Sequence, residues 1–244
     1  FKMSQGEYVN WFDSDDLMLN EFLRNKILKS NKNNDIIINF GYFVSNSLKI
    51  IRKTMTNKSK VENLYKNYAL WECEIFICSV LFKKTFLEGK KLFDEKIHRG
   101  QETEFFTRLF FDTIDNENFI FLNTYDFMYR RHNYTKSKDD QIYLAKNQKG
   151  VAYIYIENLK RGLLIKDTEV IKIYYKRIIS LAFRAIENND IKLAKEIRKY
   201  LYDIFMPNQK ILNLKINLIL SLSYLFKINS YKLRNYLKNQ TVKS

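Results

Sequence analysis

The chain has 244 residues, of which 46% are hydrophobic, with one proline and six glycines. This composition excludes a disordered or collagen-like chain and is typical of one or two globular domains rich in helix. No uncharged apolar run reaches the ~18–20 residues of a membrane span, and the first residues lack the pattern of a signal peptide. The two cysteines, Cys73 and Cys78, are too few for a zinc site, so we expect buried free thiols in a reducing compartment.

Positive charge is concentrated in the second half of the chain. Residues 1–137 contain 21 Lys/Arg and 18 Asp/Glu, a net charge of +3, whereas residues 138–244 contain 21 and 9, a net charge of +12. This shift predicts a domain boundary between residues 137 and 138. A basic helical half is suited to an anionic partner, either nucleic acid or a phospholipid surface, although a solvated lysine-rich face explains the same charge.

The run from residue 7 to residue 16 changes from aromatic to acidic. Residues 7–12 alternate and are rich in aromatic side chains, which predicts a buried strand, and Asp13, Asp15 and Asp16 follow it. Such a strand presents its carboxylates at the carboxyl edge of a sheet, where α/β proteins bind ligands. A hard cation such as Mg²⁺ or Mn²⁺ would relieve the repulsion between them. In the alternative interpretation, Asp15 or Asp16 caps a helix that begins near Leu17.

The remaining pattern predicts strands and helices up to residue 137 and helices alone after it. Strands are predicted at residues 35–44, 48–51, 75–82 and 118–122, with a further alternating run from Tyr125, and helices at 17–28, 83–88 and 103–113. Later helices are predicted near 141–160, 168–187, 190–205, 208–228 and 230–239, with Asp167, Asn189, Asn229 and Pro207 near their starts. Small side chains at Ala182, Ala185 and Ala194 predict close antiparallel packing of the second and third of these helices.

Three segments resemble one family in order and approximate spacing. The run from Gly6 to Met18 resembles the strand and DxD motif of family-2 glycosyltransferases, which have the GT-A fold. The segment that begins Gly100-Gln101-Glu102 is similar to the family's loop with Gly and Glu-Asp before an aromatic-rich helix. In that comparison Gln101 falls on the family's Glu and Glu102 on its Asp, so both positions depart from the commonest pattern. The run Tyr125–His132 is similar to the strand that closes the family's catalytic domain.

The resemblance covers residues 3–137 and implies a role for each matched residue. Asp13 and Asp15 would hold Mg²⁺ or Mn²⁺ on the diphosphate of a nucleotide-sugar, with Asp16 as the adjacent acid. Glu102 would be the general base, with Glu104 as the second candidate. The diphosphate would be bound by residues that match the family's donor site: Asp13, Arg130, Arg131 and His132.

The resemblance implies an α/β fold, a partial GT-A-type mixed sheet with flanking helices in residues 1–137, followed by an all-helical domain in 138–244. The family's nucleotide-binding strands precede the DxD strand, so we expect that part to be missing here. The expected activity is sugar transfer from a nucleotide-sugar to an acceptor hydroxyl, on a glycan or a lipid carrier, in bacterial surface polysaccharide synthesis. We expect a cytoplasmic protein, with peripheral contact at the inner face of the membrane through the basic half.

Two other interpretations remain open at this point. The chain could be a basic helical binding module with structural acids, although nucleic acid is disfavoured because known RNA-binding signatures are absent. It could also be a transferase fragment that is inactive without upstream residues. A homodimer is compatible with either interpretation.

Overall fold

The computed structural model describes residues 1–31, 33–55, 63–113, 118–131 and 147–243. Contacts between Cα atoms divide the chain into two units, Phe1–Asp94 with Glu102–Asp139 and Glu95–Gln101 with Asp140–Ser244. The predicted boundary after residue 137 lies outside the described residues. Residues 95–101, which the sequence places in the first domain, group with the helices of the second unit.

The first unit combines a mixed sheet with short helices, which confirms the α/β class; the GT-A identity stays a prediction. Its elements in chain order are β1 (Tyr8–Val9), β2 (Leu17–Met18), α1 (Phe22–Lys29), β3 (Ile36–Val44), β4 (Ile50–Lys53), α2 (Leu64–Ala69), a 3-10 turn (Ile77–Ser79), β5 (Val80–Lys83), α3 (Lys84–Leu87), α4 (Gln101–Asp112) and β6 (Phe119–Arg130).

The sheet is organised around β3 and β6, which are parallel neighbours. Among the described residues the strand order is β1-β5-β3-β6-β2, with β4 paired to the end of β3, and every other pairing is antiparallel. β3 is buried along almost its whole length, as expected of a central strand covered on both faces. The register places Phe43 and Val44 beside Tyr129 and Arg130, so both strands end together.

Two predicted elements of the first unit differ in the structure. The predicted strand 75–82 begins as the Ile77–Ser79 turn because the Ser79 hydroxyl donates to the Phe76 carbonyl at 2.7 Å and stabilises a local turn instead of a ladder. The predicted helix 17–28 starts late, at Phe22, because Leu17 and Met18 pair with β6 as an edge strand. Helical spacing of apolar residues cannot reveal such a tertiary pairing. The predicted cap by Asp15 or Asp16 is therefore wrong.

The second unit is helical in its described residues. Its helices are α5 (Gln148–Leu164), α6 (Thr168–Glu187), α7 (Ile191–Phe205), α8 (Lys210–Leu225) and α9 (Tyr231–Lys238). Side chains that cap α6, α7 and α9 are Asp167, Asp190 and Ser230. Asp167 thus lies at the start of α6 as predicted, and Asn189 and Asn229 each lie one residue before the cap of their helix. Pro207 does not open α8, which begins three residues later.

The turn between α6 and α7 brings small side chains into the core of the second unit. Ala182, Ala185 and Ala194 are buried there, as predicted, and let the two helices approach closely. Within the described residues, no helix combines the length and hydropathy needed to cross a bilayer.

Candidate functional site

The acidic loop lies at the carboxyl end of the parallel β3–β6 pair. β1 ends at Val9, earlier than predicted, because the Asn10 amide donates to the carbonyls of Cys78 and Val80 and leads the chain out of the sheet. The loop then reaches the opposite edge, where β2 pairs with β6. The backbone N–H of Arg130, the last residue of β6, donates to Asp16 Oδ1 at 2.9 Å.

Asp16 is buried, and its second oxygen is unsatisfied. No hydrogen-bond partner within the described part of the chain reaches Asp16 Oδ2. Burial, together with the charges of Asp15 and Asp13, raises the pKa of Asp16 to about 6, although the Arg130 N–H and the Cys78 thiol act in the opposite direction. A buried carboxylate with a free lone pair and a raised pKa is suited to a proton or a cation.

Asp13 and Asp15 are exposed members of the same loop. Partial desolvation, and secondarily the charge of Asp15, raises the pKa of Asp13. The backbone N–H of Asp16 donates to the Asp13 carbonyl at 3.2 Å, which closes a turn and holds the acids near one another.

Glu102 approaches this loop from a distant part of the sequence. Gly100, with φ of +79°, ends the preceding loop in a conformation that favours glycine, and α4 begins at the next residue. Glu102 Oε1 accepts the Ile77 N–H at 3.2 Å. Burial raises the pKa of Glu102 to about 7, and the charges of Asp13 and Asp16 add to this shift. The structure therefore brings together three carboxylates that the sequence separates into two motifs.

The 3-10 turn Ile77–Ser79 connects the two motifs. The Ile77 N–H donates to Glu102, and the Cys78 thiol interacts with Asp16. The Ser79 carbonyl accepts a hydrogen bond from Lys26 Nζ at 2.6 Å. Lys26 is fully buried, and burial lowers its pKa well below the usual value. Its Nζ lies 4.1 Å from the centre of the Phe22 ring.

Glu104, the second predicted base, has a different environment. It is buried in an ion pair in which Arg108 donates from Nε to Oε1 at 2.7 Å and from Nη2 to Oε2 at 3.0 Å. Arg108 also donates to the Lys91 and Leu92 carbonyls, so the pair attaches α4 to the preceding loop. A carboxylate held in this way is suited to a structural role.

Two of the predicted phosphate-binding residues, Arg130 and Arg131, lie where β6 ends. Arg130 Nε is buried and has no hydrogen-bond partner among the described residues. The Arg131 guanidinium lies 4.7 Å from the centre of the Phe43 ring, and its charge helps to lower the pKa of Glu74. His132 lies outside the described residues.

A cavity of about 240 Å³ adjoins Glu102. Its walls include the aromatic side chains of Tyr68, Trp71 and Phe76. Trp71 is exposed, and its positive φ of 64° places it in the left-handed region. Glu74, also on the wall, is held by Arg52 through two hydrogen bonds of 2.7 Å each. Glu102 and several aromatic side chains thus line the same cavity.

The sequence did not single out three residues near the acids. They are Lys26, Tyr129 and Cys78, of which only Cys78 was named at all, as a buried thiol and not as a neighbour of the acids. Tyr129 stacks on Phe76 at 4.8 Å, and its pKa is raised to about 12 by burial, Glu102 and Asp16. Cys78 and Cys73 are buried free thiols, as predicted. The alternation along β6 could have indicated Tyr129. No local pattern could have indicated Lys26, because its burial depends on contacts with Ser79, 53 residues away.

No preassembled cluster of three or more His, Cys, Asp or Glu side chains arranged to hold a metal occurs in the part of the chain that the structure describes. Mg²⁺ in phosphate-transfer sites is commonly held by only one or two carboxylates together with substrate phosphates. The pair Asp13 and Asp15, with the unsatisfied Oδ2 of Asp16 nearby, fits that mode of binding.

No protein-family model matches the chain, and no curated protein matches it in sequence.

Proposed function

We propose that the protein transfers a sugar from a nucleotide-sugar to an acceptor hydroxyl, as family-2 glycosyltransferases do. The observation that carries the proposal is that the Ile77–Ser79 turn contacts both motifs, Glu102 through the Ile77 N–H and Asp16 through the Cys78 thiol, although the two acids are more than 80 residues apart in the sequence. In the proposed function, the acidic loop with Asp13 and Asp15 holds the nucleotide-sugar, and Glu102 supplies the general base.

Glu102 has the properties that a general base requires. A pKa of about 7 is close to neutral pH, where a base can both accept a proton and be present in its ionised form. Its hydrogen bond to the Ile77 N–H fixes one oxygen, and the side chain lines the cavity in which we place the acceptor. Glu104 does not meet this requirement, because its two oxygens are engaged by Arg108.

The proposed reaction is a single displacement at the anomeric carbon. Glu102 takes the proton from the acceptor hydroxyl, whose oxygen forms the new bond to the anomeric carbon. The bond between that carbon and the diphosphate oxygen breaks, and the nucleoside diphosphate leaves with the electron pair. Attack opposite the leaving group inverts the anomeric configuration.

Asp13 and Asp15 would hold a Mg²⁺ or Mn²⁺ ion in this proposal, with Asp16 beside them. When bound, the ion would offset the negative charge of the diphosphate. Arg130 and Arg131 are suited to contact the phosphate oxygens because a guanidinium binds phosphate through two parallel hydrogen bonds. We propose the same role for His132.

The aromatic cavity beside Glu102 suits the acceptor. Sugar rings have apolar C–H faces that pack on aromatic side chains, and Trp71, Tyr68 and Phe76 supply such surfaces within reach of the base. The proposed setting is the synthesis of bacterial surface polysaccharide at the cytoplasmic face of the membrane, with a glycan or lipid-linked acceptor.

Calorimetric titration tests the donor half of the proposal. We expect UDP or GDP to bind the protein in the presence of Mn²⁺ and to lose that binding in the Asp13→Asn/Asp15→Asn double variant. Asp203→Asn, an exposed acid in α7, is the matched control and should bind as the unmodified protein does. Equal binding by the double variant and the control, or no binding of either nucleotide with Mn²⁺, would contradict the assignment.

A further inference from the structure

Helix α8 (Lys210–Leu225) is apolar on two opposite faces. One face, which includes Leu212, Ile216 and Leu220, is buried within the second unit, where α8 packs against α6, α7 and α9. The opposite face carries five aliphatic side chains that are between 42% and 75% exposed. They form what we call the α8 ridge: Ile211, Leu214, Leu218, Leu222 and Leu225.

The α8 ridge is one continuous stripe and not a set of scattered residues. Its members are spaced by three, four, four and three positions, so they lie on one side of an α-helix. Phe226, directly after the helix, and Tyr231, at the start of α9, are also exposed. A contiguous apolar surface of this kind indicates an interaction site, because its exposure to water is unfavourable.

The sequence segment that contains the ridge carries charge of one sign only. Residues 204–244 contain no Asp or Glu and seven Lys or Arg: Lys210, Lys215, Lys227, Lys232, Arg234, Lys238 and Lys243. The whole chain carries a net charge of +15. The partner of this surface must therefore accept aliphatic side chains and positive charge together.

Only one of the common partners meets both requirements. A second copy of the chain would cover the leucines but would bring two basic segments of like charge together. Nucleic acid would accept the charge, but it is bound through basic and stacked aromatic side chains and offers no surface for an aliphatic stripe. An anionic bilayer offers acyl chains below a layer of negative phosphates.

We propose that α8 lies in the plane of an anionic membrane surface, with the α8 ridge in the acyl region and the surrounding lysines at the phosphates. Phe226 and Tyr231 then lie at the depth where aromatic rings are enriched in membrane proteins. This inference does not depend on sugar transfer, because vesicle binding is measured without nucleotide.

Flotation of the whole protein with vesicles tests the proposal. We expect strong binding to phosphatidylcholine–phosphatidylglycerol vesicles at low salt and weak binding to phosphatidylcholine alone. The Leu214→Asn/Leu218→Asn variant should bind the anionic vesicles roughly tenfold more weakly, because the ridge no longer inserts. Leu164→Asn removes an equally exposed leucine at the end of α5 and should leave binding unchanged.

A second variant separates charge from insertion. Lys227→Gln/Lys232→Gln should weaken binding to anionic vesicles and leave the residual binding to phosphatidylcholine unchanged, and circular dichroism should show native helix content in every variant. Unchanged vesicle binding by the ridge variant would overturn the proposal. So would a dimer in sedimentation that the ridge variant dissociates, or salt-sensitive binding to DNA without binding to vesicles.

Discussion

Glu102 and Glu104 are two residues apart on α4, yet their surroundings assign them different roles. Glu102 is half-buried beside other carboxylates, and burial with those charges raises its pKa to about 7. Glu104 is buried in a bidentate pair with Arg108. The first carboxylate is destabilised in its ionised form, whereas the second is held in place by two hydrogen bonds from Arg108.

Glu102→Gln should therefore slow sugar transfer and stabilise the protein at pH 8. Loss of a general base costs about 10²–10⁴-fold in rate. The glutamine oxygen still accepts the Ile77 N–H but carries no charge beside Asp13 and Asp16. We expect the free energy of unfolding to rise by roughly 1–3 kcal/mol at pH 8 and to change little at pH 4, where Glu102 is protonated in both states. Urea denaturation at the two pH values measures this difference.

Glu104→Gln is the matched control on the same helix. It leaves the buried guanidinium of Arg108 without its counter-charge, which should lower the free energy of unfolding by about 3 kcal/mol. The expected effects of the two substitutions at pH 8 are thus opposite in sign. Stabilisation by Glu104→Gln, or destabilisation by Glu102→Gln, would contradict the roles assigned to them.

At the residue scale, the sequence predicted the acids but not the groups that hold them. Asp13, Asp15 and Asp16 were indicated by the local change from an aromatic run to acids, and Glu102 by the resemblance to a family. Lys26 and Cys78 make their contacts at the Ile77–Ser79 turn, and these contacts exist only once α1 and the acidic loop have reached that turn. A buried lysine has no signature in a single sequence, because exposed lysines of α-helices show the same spacing.

Among the elements, the parallel β3–β6 pair determines where the site lies. The two strands are in close contact at Gly41, where an added Cβ would lie 2.5 Å from the Phe127 carbonyl oxygen and 2.7 Å from its ring. Their common end holds Arg130, whose N–H positions Asp16. A glycine at this position lets the central strands pair without displacing the end that carries the site.

Gly41→Ala should destabilise the first unit by about 3 kcal/mol, because the clash involves backbone and the core cannot shift without strain. Gly89→Ala is the control: its Cβ would meet nothing within 4 Å, and only the positive φ of +75° opposes it. That strain should cost about 1 kcal/mol. Thermal denaturation measures the loss of stability in each variant. Equal losses for Gly41→Ala and Gly89→Ala would contradict the close contact between β3 and β6 at Gly41.

The predictability of elements follows the range of their contacts. The helix at 168–187 was predicted with its observed bounds, because its periodicity and the Asp167 cap are local signals. The edge strand Leu17–Met18 was missed, since its pairing with β6 involves residues about 110 positions away. Only the last part of the predicted strand 75–82 is a strand, because the Ser79 hydroxyl bonds the Phe76 carbonyl and favours a turn over pairing with a neighbouring strand.

For the whole molecule, the raised carboxylate pKa values make stability depend on pH. The pKa values of Asp16 and Glu102 are raised to about 6 and about 7 in the folded protein. A carboxyl group whose folded pKa is raised contributes stability that is present below its unfolded pKa and is lost as pH rises through the folded value. The chain has only two histidines, so few other groups titrate in this window.

We therefore predict that the first unit is less stable at pH 8 than at pH 5, by on the order of 2–4 kcal/mol in the free energy of unfolding. Both tryptophans, Trp11 and Trp71, belong to this unit, so their fluorescence in urea reports its unfolding separately from that of the helices. In the Asp16→Asn/Glu102→Gln variant the free energy of unfolding should be nearly the same at pH 5 and pH 8, because the two titrating groups are absent.

Mn²⁺ should restore stability to the unmodified protein mainly at pH 8, where the carboxylates that would bind it are ionised. If the free energy of unfolding rose from pH 5 to pH 8 instead, these carboxylates would be stabilised as anions in the folded protein. The acidic loop would then not need a bound cation to offset the repulsion between its carboxylates.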